Sequence, residues 1–238
     1  MCLLPARNAE EHVGCYLASV APFADAVVAL DDGSTDATGD LLEEAPLVDH
    51  VLRNGRRDGY RGWSDGENRT RLLRAAAELE PDWIVFLDAD ERVDPADAHA
   101  LAAALERDDL LPGCAYGFQH YRTWHGTACD PRYRWIYRMF GYRPDLRLVG
   151  RRLHFNPVPV EIPSRAWVRT TIRIRHLVAD DASAIERRRA KYREADPEGI
   201  FGSDSGGMDR APERVAPWVD RPSELPFLFD QTVEAFSA

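Results

Sequence analysis

The sequence predicts an α/β protein: a Rossmann-like, mostly parallel, doubly wound sheet followed by a half of mixed β and α character. Three observations carry this. Short apolar runs, each long enough for a buried strand, alternate with segments of helical spacing through residues 1–110. Two of those runs end in acid, at Asp31-Asp32-Gly33-Ser34-Thr35-Asp36 and at Asp88-Ala89-Asp90-Glu91. After Pro112 the texture changes to aromatic and arginine-rich segments with strand character.

The elements follow in order. Leu3-Leu4 predicts a very short first strand. Residues 9–20 predict a helix, with Val13, Tyr16, Leu17 and Val20 on one face. Asn8 is its N-cap candidate, and Glu10-Glu11 suit the positive end of the helix dipole. Residues 26–30 are a strand. Thr35 or Asp36 can cap the next helix, which runs to about Glu44 and stops at Pro46. Residues 48–52 are a short strand, and 54–66 a polar, Gly-rich loop expected to be mobile. Residues 67–79 predict a helix and 83–87 the most hydrophobic strand. Pro95 stands at the first turn of a further helix, 96–105. This order implies right-handed crossovers that bring the strand tips to one edge.

In the second half, residues 115–124, 133–140, 146–155 and 167–178 predict strands. Val168, Thr170, Ile172 and Ile174 share one face of the last, with Arg169, Thr171, Arg173 and Arg175 on the other. Residues 181–195 predict a charged helix. From 196 to 238, Pro, Gly, Ser and Asp accumulate, which predicts a loosely ordered tail with one docking segment at 225–229. One domain over 1–195 is expected, in two halves at 1–110 and 111–195.

Composition excludes several classes. Hydrophobic residues are 45% and charged residues 29%, an ordinary globular mix, and 40 acids against 30 bases leave a net charge of -10. Such a surface does not attract nucleic acid or anionic lipid overall, so neither is an expected partner. Local basic runs, Arg56-Arg57 and Arg187-Arg188-Arg189, are commonly solvated faces. Cys2, Cys15, Cys114 and Cys129 are scattered and read as reduced thiols, not a zinc site. No apolar run approaches the roughly 18 residues of a membrane span, and no signal peptide is evident. The expected location is cytoplasmic; a peripheral place at the inner membrane face stays open.

The acidic tips carry the chemistry. In Asp88-Ala89-Asp90 the carboxylates stand at i and i+2, on one face if the backbone stays extended. Hard oxygen ligands so placed suit Mg2+ or Mn2+ bridged to a diphosphate. The plain alternative is a solvated acidic turn with Asp94 capping the next helix. In the other tip, turn and cap chemistry accounts for Gly33 through Asp36 but does not require two acids before the glycine. Those two could accept hydrogen bonds from a base or ribose.

Three segments in order, Pro5-Ala6-Arg7-Asn8-Ala9-Glu10-Glu11, Asp31-Asp32-Gly33-Ser34-Thr35-Asp36-Ala37-Thr38 and Asp82-Trp83-Ile84-Val85-Phe86-Leu87-Asp88-Ala89-Asp90-Glu91, resemble the successive signatures of family 2 glycosyltransferases with the GT-A fold. The resemblance covers roughly residues 1–110. It implies a hexosyltransferase-like enzyme with a nucleotide-sugar donor (uridine as the favoured base), Mn2+ or Mg2+, and inversion at the anomeric carbon. The acceptor stays open between a glycan, a lipid-linked molecule and a small molecule. The resemblance implies that Pro5, Arg7 and Glu10 lie at the nucleotide edge and that Asp32 meets the base beside Asp31. Asn68 and Arg69 match an Arg-Asn pair in reversed order. Asp88 and Ala89 would lie by the ribose or a metal-bound water; Asp90 would bind the metal, with His176 as a late histidine ligand. For the base that takes the acceptor proton, Glu161 in Pro159-Val160-Glu161-Ile162-Pro163 is the first candidate, with Glu91 and Asp130 as rivals. Arg151, Arg152 and His154 resemble a Gly-Arg-x-His stretch of small bacterial members.

Two other classes remain open. A nucleotidyltransferase also pairs acids on a metal, but its phosphate loop after the first strand is Gly-rich and basic, whereas Arg7-Asn8-Ala9-Glu10-Glu11 is acidic and lacks glycine. A non-catalytic nucleotide-sugar binding protein would keep the pocket and show metal-dependent affinity without turnover.

Overall fold

A computed structural model describes residues 1–107, 110–125, 127–150, 153, 155–178, 182–200 and 215–220. Strands β1 (Cys2–Ala6), β2 (Val27–Asp31), β3 (Val48–Arg53) and β4 (Trp83–Phe86) pair in parallel in the order β3-β2-β1-β4. Helices α1 (Glu10–Val20), α2 (Thr38–Glu44) and α3 (Asp65–Ala76) make the crossovers. The inner strands are apolar on both faces because both faces are covered: Cys2, Leu4 and Ala6 of β1 pack with Val13 and Tyr16 of α1, while Leu3 packs with Leu72 and Leu73 of α3. The edge strand β3 has no fully buried residue. All five residues of β2 are buried.

The chain then turns back. A short strand β5 (Glu91–Val93) directly follows the second acidic tip, and helix α4 (Pro95–Glu106) starts on the proline expected there. Strands β6 (Ala115–Trp124), β7 (Ala128–Cys129) and β8 (Arg134–Gly141) form an antiparallel wing, joined to the parallel part where β8 pairs antiparallel with β4. Strand β9 (Trp167–Leu177) lies parallel to β6 on its other side and antiparallel to β5. Helix α5 (Ala182–Ala195) follows, and a two-residue strand β10 (Ala216–Pro217) pairs with β7. The pairing Glu91↔His176 brings the second acidic tip beside the end of β9, and this cross-link builds the site.

Three local expectations are corrected. Asn8 does not cap α1: Ala9 holds the N-cap position, and Asn8 has φ 47° and accepts the Thr35 backbone N–H at 2.8 Å. The strand expected over 146–155 does not form among its described residues. Leu146 and Leu148, with Val158 and Ile162 further along, cover the sheet face of Phe86 and Phe140 from an irregular segment. Neither Thr35 nor Asp36 holds the N-cap position of α2, which falls to Ala37. In the loop 54–64, Arg7 stacks 4.1 Å from the Tyr60 ring centroid. The segment 225–229 lies outside the described residues.

Gly33 shows why the first acidic tip carries a glycine. Its φ is +74°, and a Cβ there would run into the Gly55 carbonyl oxygen. Gly33→Ala is therefore expected to destabilise the fold by about 1–3 kcal/mol, read as a fall in the thermal midpoint. An unchanged midpoint would mean that this turn is not strained by a side chain.

Candidate functional site

The tips of β1, β2 and β4 meet the loop 54–64, the start of α3 and the end of β9. Two centres result.

The first is a cleft of about 270 Å3 lined by residues that include Asp32, Asn54, Arg57, Ser64, Asn68 and Arg71. Asp32 is 3% exposed and accepts hydrogen bonds from Arg57 Nη2 and Asn54 Nδ2. Asn54 also donates to Asn68 Oδ1 at 3.1 Å and accepts from Arg71. These groups are joined to one another, so the cleft wall is fixed before any ligand arrives. Arg7 reaches it by donating to the Arg57 carbonyl at 2.8 Å. Asp31 faces elsewhere: its carboxylate accepts the Ser34 N–H at 2.9 Å in an Asx-type turn, with Arg53 4.0 Å away. Glu10 likewise serves the frame, accepting the Ala37 N–H at 3.0 Å. The starts of α1 and α2 thus cap each other: Ala9 N–H donates to Thr38 Oγ1 at 2.7 Å and Thr38 N–H to Asp36 Oδ1 at 3.0 Å. Pro5 stands in β1 opposite Leu30 and is half-buried.

The second centre is the Asp88–Glu91 tip. Glu91 is 1% exposed and lies at its base. It accepts from Arg138 Nη2 at 3.0 Å, from His120 Nε2 at 3.1 Å and from the Asp88 N–H at 2.9 Å. Burial alone would raise its pKa, but the Arg138 charge and the His120 contact bring it down to about 2. Burial pushes His120 down to about 4 despite that contact. Asp88 accepts from Arg69 Nη2 and from Arg138 Nη2, the latter at 3.0 Å. Arg69 is itself held by Asp65 at 2.9 Å. Ala89 is a small buried spacer whose carbonyl accepts from Arg92 Nη1 at 2.6 Å.

Asp90 points the other way. Its side chain is 36% exposed and its Oδ2 lies 3.3 Å from His176 Nε2. Burial opposes its charge, yet His176, Arg188 and Lys191 hold its pKa well below the usual carboxylate range. The His120 and His176 rings lie 4.9 Å apart. A carboxylate oxygen and an imidazole nitrogen this far apart suit adjacent positions on one ion, whose ligands sit about 2.0–2.2 Å away. Among the described residues no three acidic, histidine or cysteine side chains converge. An ion at this place could take at most two ligands from Asp90 and His176, and its remaining positions would fall to oxygens from outside the chain.

Each candidate base is paired with an arginine. Glu161 takes the Arg147 N–H and Nε, both at 2.9 Å. Asp130 takes Arg122 at 2.7 Å and Arg132 at 3.2 Å. Glu91 takes Arg138 at 3.0 Å and lies at the base of the tip. Arg151, Arg152 and His154 lie outside the described residues.

Sequence reasoning missed Arg138, His120, Asn54 and Arg57. A signal existed for Arg138: the alternation of basic and apolar residues over 133–140 is that of a strand with one polar face, and here that face meets Asp88 and Glu91.

Comparison with known proteins adds the following. A family model described as glycosyl transferase family 2 matches residues 2–177. An uncharacterised protein of Mycobacterium tuberculosis is 28% identical over 180 residues, 66% of this chain and 40% of that protein. A TPR repeat-containing protein of Synechococcus elongatus is 30% identical over 147 residues, 62% of this chain and 32% of that one. The chain thus spans 40% or less of the length of these curated relatives. Among solved structures, S. aureus TarS 1-349 in complex with UDP-GlcNAc aligns over 86% of this chain and 69% of that one, at 15% identity and a TM-score of 0.44. Glucosyl-3-phosphoglycerate synthase from Mycobacterium tuberculosis in complex with Mn2+, UDP and glucosyl-3-phosphoglycerate aligns over 52% and 43%, at 24% identity and a TM-score of 0.33.

Proposed function

Because the chain belongs to glycosyl transferase family 2 over residues 2–177, we propose that it moves a sugar from a nucleoside-diphosphate donor to an acceptor hydroxyl, with a divalent cation and inversion. The observation that carries this reading is the division of labour at the Asp88–Glu91 tip. Glu91 and Asp88 are neutralised by arginines, while Asp90 faces outward beside His176. UDP is the favoured nucleotide.

The nucleoside would occupy the cleft of Asp32 and Asn68, its base meeting the fixed array of Asp32, Asn54 and Arg57. The diphosphate would extend from there to Asp90. Asp90 and His176 would hold Mn2+ or Mg2+, which supplies positive charge to the departing diphosphate. The chain's own contribution is electrostatic. Arg69 and Arg138 pin Asp88 and Glu91, so the tip that carries Asp90 is in place before the sugar-phosphate bond weakens and needs no rearrangement during reaction. Attack by the acceptor oxygen forms the new glycosidic bond as the diphosphate leaves with the bonding pair, and the acceptor proton passes to water or to the departing diphosphate. In this reading Glu91 positions Arg138 and His120, and we assign the base to none of Glu91, Glu161 and Asp130.

Calorimetric titration with UDP, GDP, ADP and CDP, each with and without Mn2+, tests the reading. One diphosphate is expected to bind more tightly by at least about tenfold when Mn2+ is present, as one charge-assisted contact allows. Absence of binding by all four would end the donor reading.

A further inference from the structure

Helix α5 carries Arg188, Lys191 and Tyr192 at i, i+3 and i+4, so the three share one face. That face is turned toward the site. The Lys191 ammonium stands 4.4 Å from the Trp63 ring centroid, 5.3 Å from that of Tyr60 and 5.7 Å from that of Tyr192. Trp63 and Tyr192 lie 6.0 Å apart. The helix and the loop 54–64 are in close contact, since a Cβ on Gly59 would collide with the Glu194 carboxylate. The carboxylates that act on the Lys191 charge are Asp90, Asp88 and Asp65.

The position is specific. Tyr60 and Trp63 belong to the loop that also supplies Gly55, Arg57 and Gly62 to the nucleoside cleft. Asp90 is the outward acid of the metal-donor pair. Lys191 lies against the loop of the first centre and its charge acts on the acid of the second, which a diphosphate must bridge if the nucleoside lies in one and the cation in the other. Its ammonium is steered by aromatic faces, which hold a cation without consuming its hydrogen-bond donors. Among the described residues it has no hydrogen bond or ion pair within 4.0 Å. All three N–H donors are thus available to phosphate oxygens.

We propose that Lys191 is a direct ligand of the donor's β-phosphate, presented by the Tyr60–Trp63–Tyr192 rings. This assignment rests on the donor reading above. It makes α5 part of the donor site, and it gives the departing phosphate a fixed cation that is independent of the metal.

The test compares a diphosphate with its monophosphate. The tightest binder of UDP, GDP, ADP and CDP, and the matching nucleoside monophosphate, are titrated into wild type, Lys191→Met and Lys191→Arg in the presence of Mn2+. Lys191→Met is expected to weaken the diphosphate by about tenfold and to leave the monophosphate within about twofold; Lys191→Arg is expected to recover most of the loss. Equal losses for both nucleotides would show that Lys191 only clasps the loop to α5, and no loss for either would show that it does not reach the phosphate. Both results overturn the assignment while leaving the donor reading intact. If wild type binds none of the four diphosphates, the donor reading fails and this assignment falls with it.

Discussion

Asp90→Ala is expected to abolish sugar transfer while leaving the fold in place. Asp90 is the one acid of the tip that is not neutralised by an arginine in direct contact, and its side chain is 36% exposed, so its loss creates no buried cavity. Removing a preorganised electrostatic group from the reacting centre typically costs about 10^2–10^3 in turnover. The loss of a donor to a cation should sit at the upper end of that range. The signature goes beyond lost rate. Lys191 and Arg188 remain, so the variant keeps positive charges that attract a diphosphate. It should therefore still bind nucleoside diphosphate without metal but lose the gain in affinity that Mn2+ confers. Asp90→Asn, which keeps the shape and removes the charge, should behave alike. Turnover near the wild-type rate, in a variant with an unchanged thermal midpoint, would remove Asp90 from the mechanism.

Which parts of this site were legible in the sequence follows from how each residue meets its partners. The placement of Asp32, Asp88 and Asp90 at strand tips was legible because a strand buried on both faces is a continuous apolar run and its end is marked by the first acid. The helix at Pro95 was legible for a similar local reason. The roles of Asp31 and Glu10 were not. Asp31 is consumed by an Asx-type turn, and Glu10 caps a helix 27 positions further along, a pairing that exists only once β1 and β2 lie side by side. The strand expected at 146–155 failed because Leu146 and Leu148 alternate as strand residues do, while their burial comes from lying over Phe86 and Phe140. Periodicity records which side chains are buried, not which backbone groups are paired. The basic residues of 133–140 and 167–178 alternate as they would on a polar strand face. In fact Arg138 is 9% exposed and Arg173, also 9% exposed, meets Asp94 and Asp97. A charge buried by a distant opposite charge has no local mark in the chain.

Glu91→Ala is expected to be the most destabilising single change at the site, by about 3–5 kcal/mol. The carboxylate anchors three donors at once, Arg138, His120 and the Asp88 N–H. Its removal strands a buried guanidinium with Asp88 as its remaining partner in the tip, and it leaves His120 without its acceptor. Glu91→Gln keeps an oxygen and most of the volume, so its cost should be smaller. The pH dependence separates this from a simple packing loss. Glu91 has a folded pKa of about 2, below the ordinary 4.5, so the unfolded chain takes up a proton first as the solution is acidified. Its stabilisation is complete above pH 4.5 and is lost as pH falls toward 2. His120, held near 4 against an ordinary 6.5, works in the same direction over the next window, because it is neutral when folded and charged when unfolded. The wild-type thermal midpoint should therefore fall in two adjacent steps on acidification, the first between pH 6.5 and 4 and the second below 4.5. In Glu91→Gln the second step should shrink. A variant that keeps the full wild-type slope below pH 4.5 would show that the charge on Glu91 does not hold the tip together, and that Asp88 and Arg138 are fixed by packing alone.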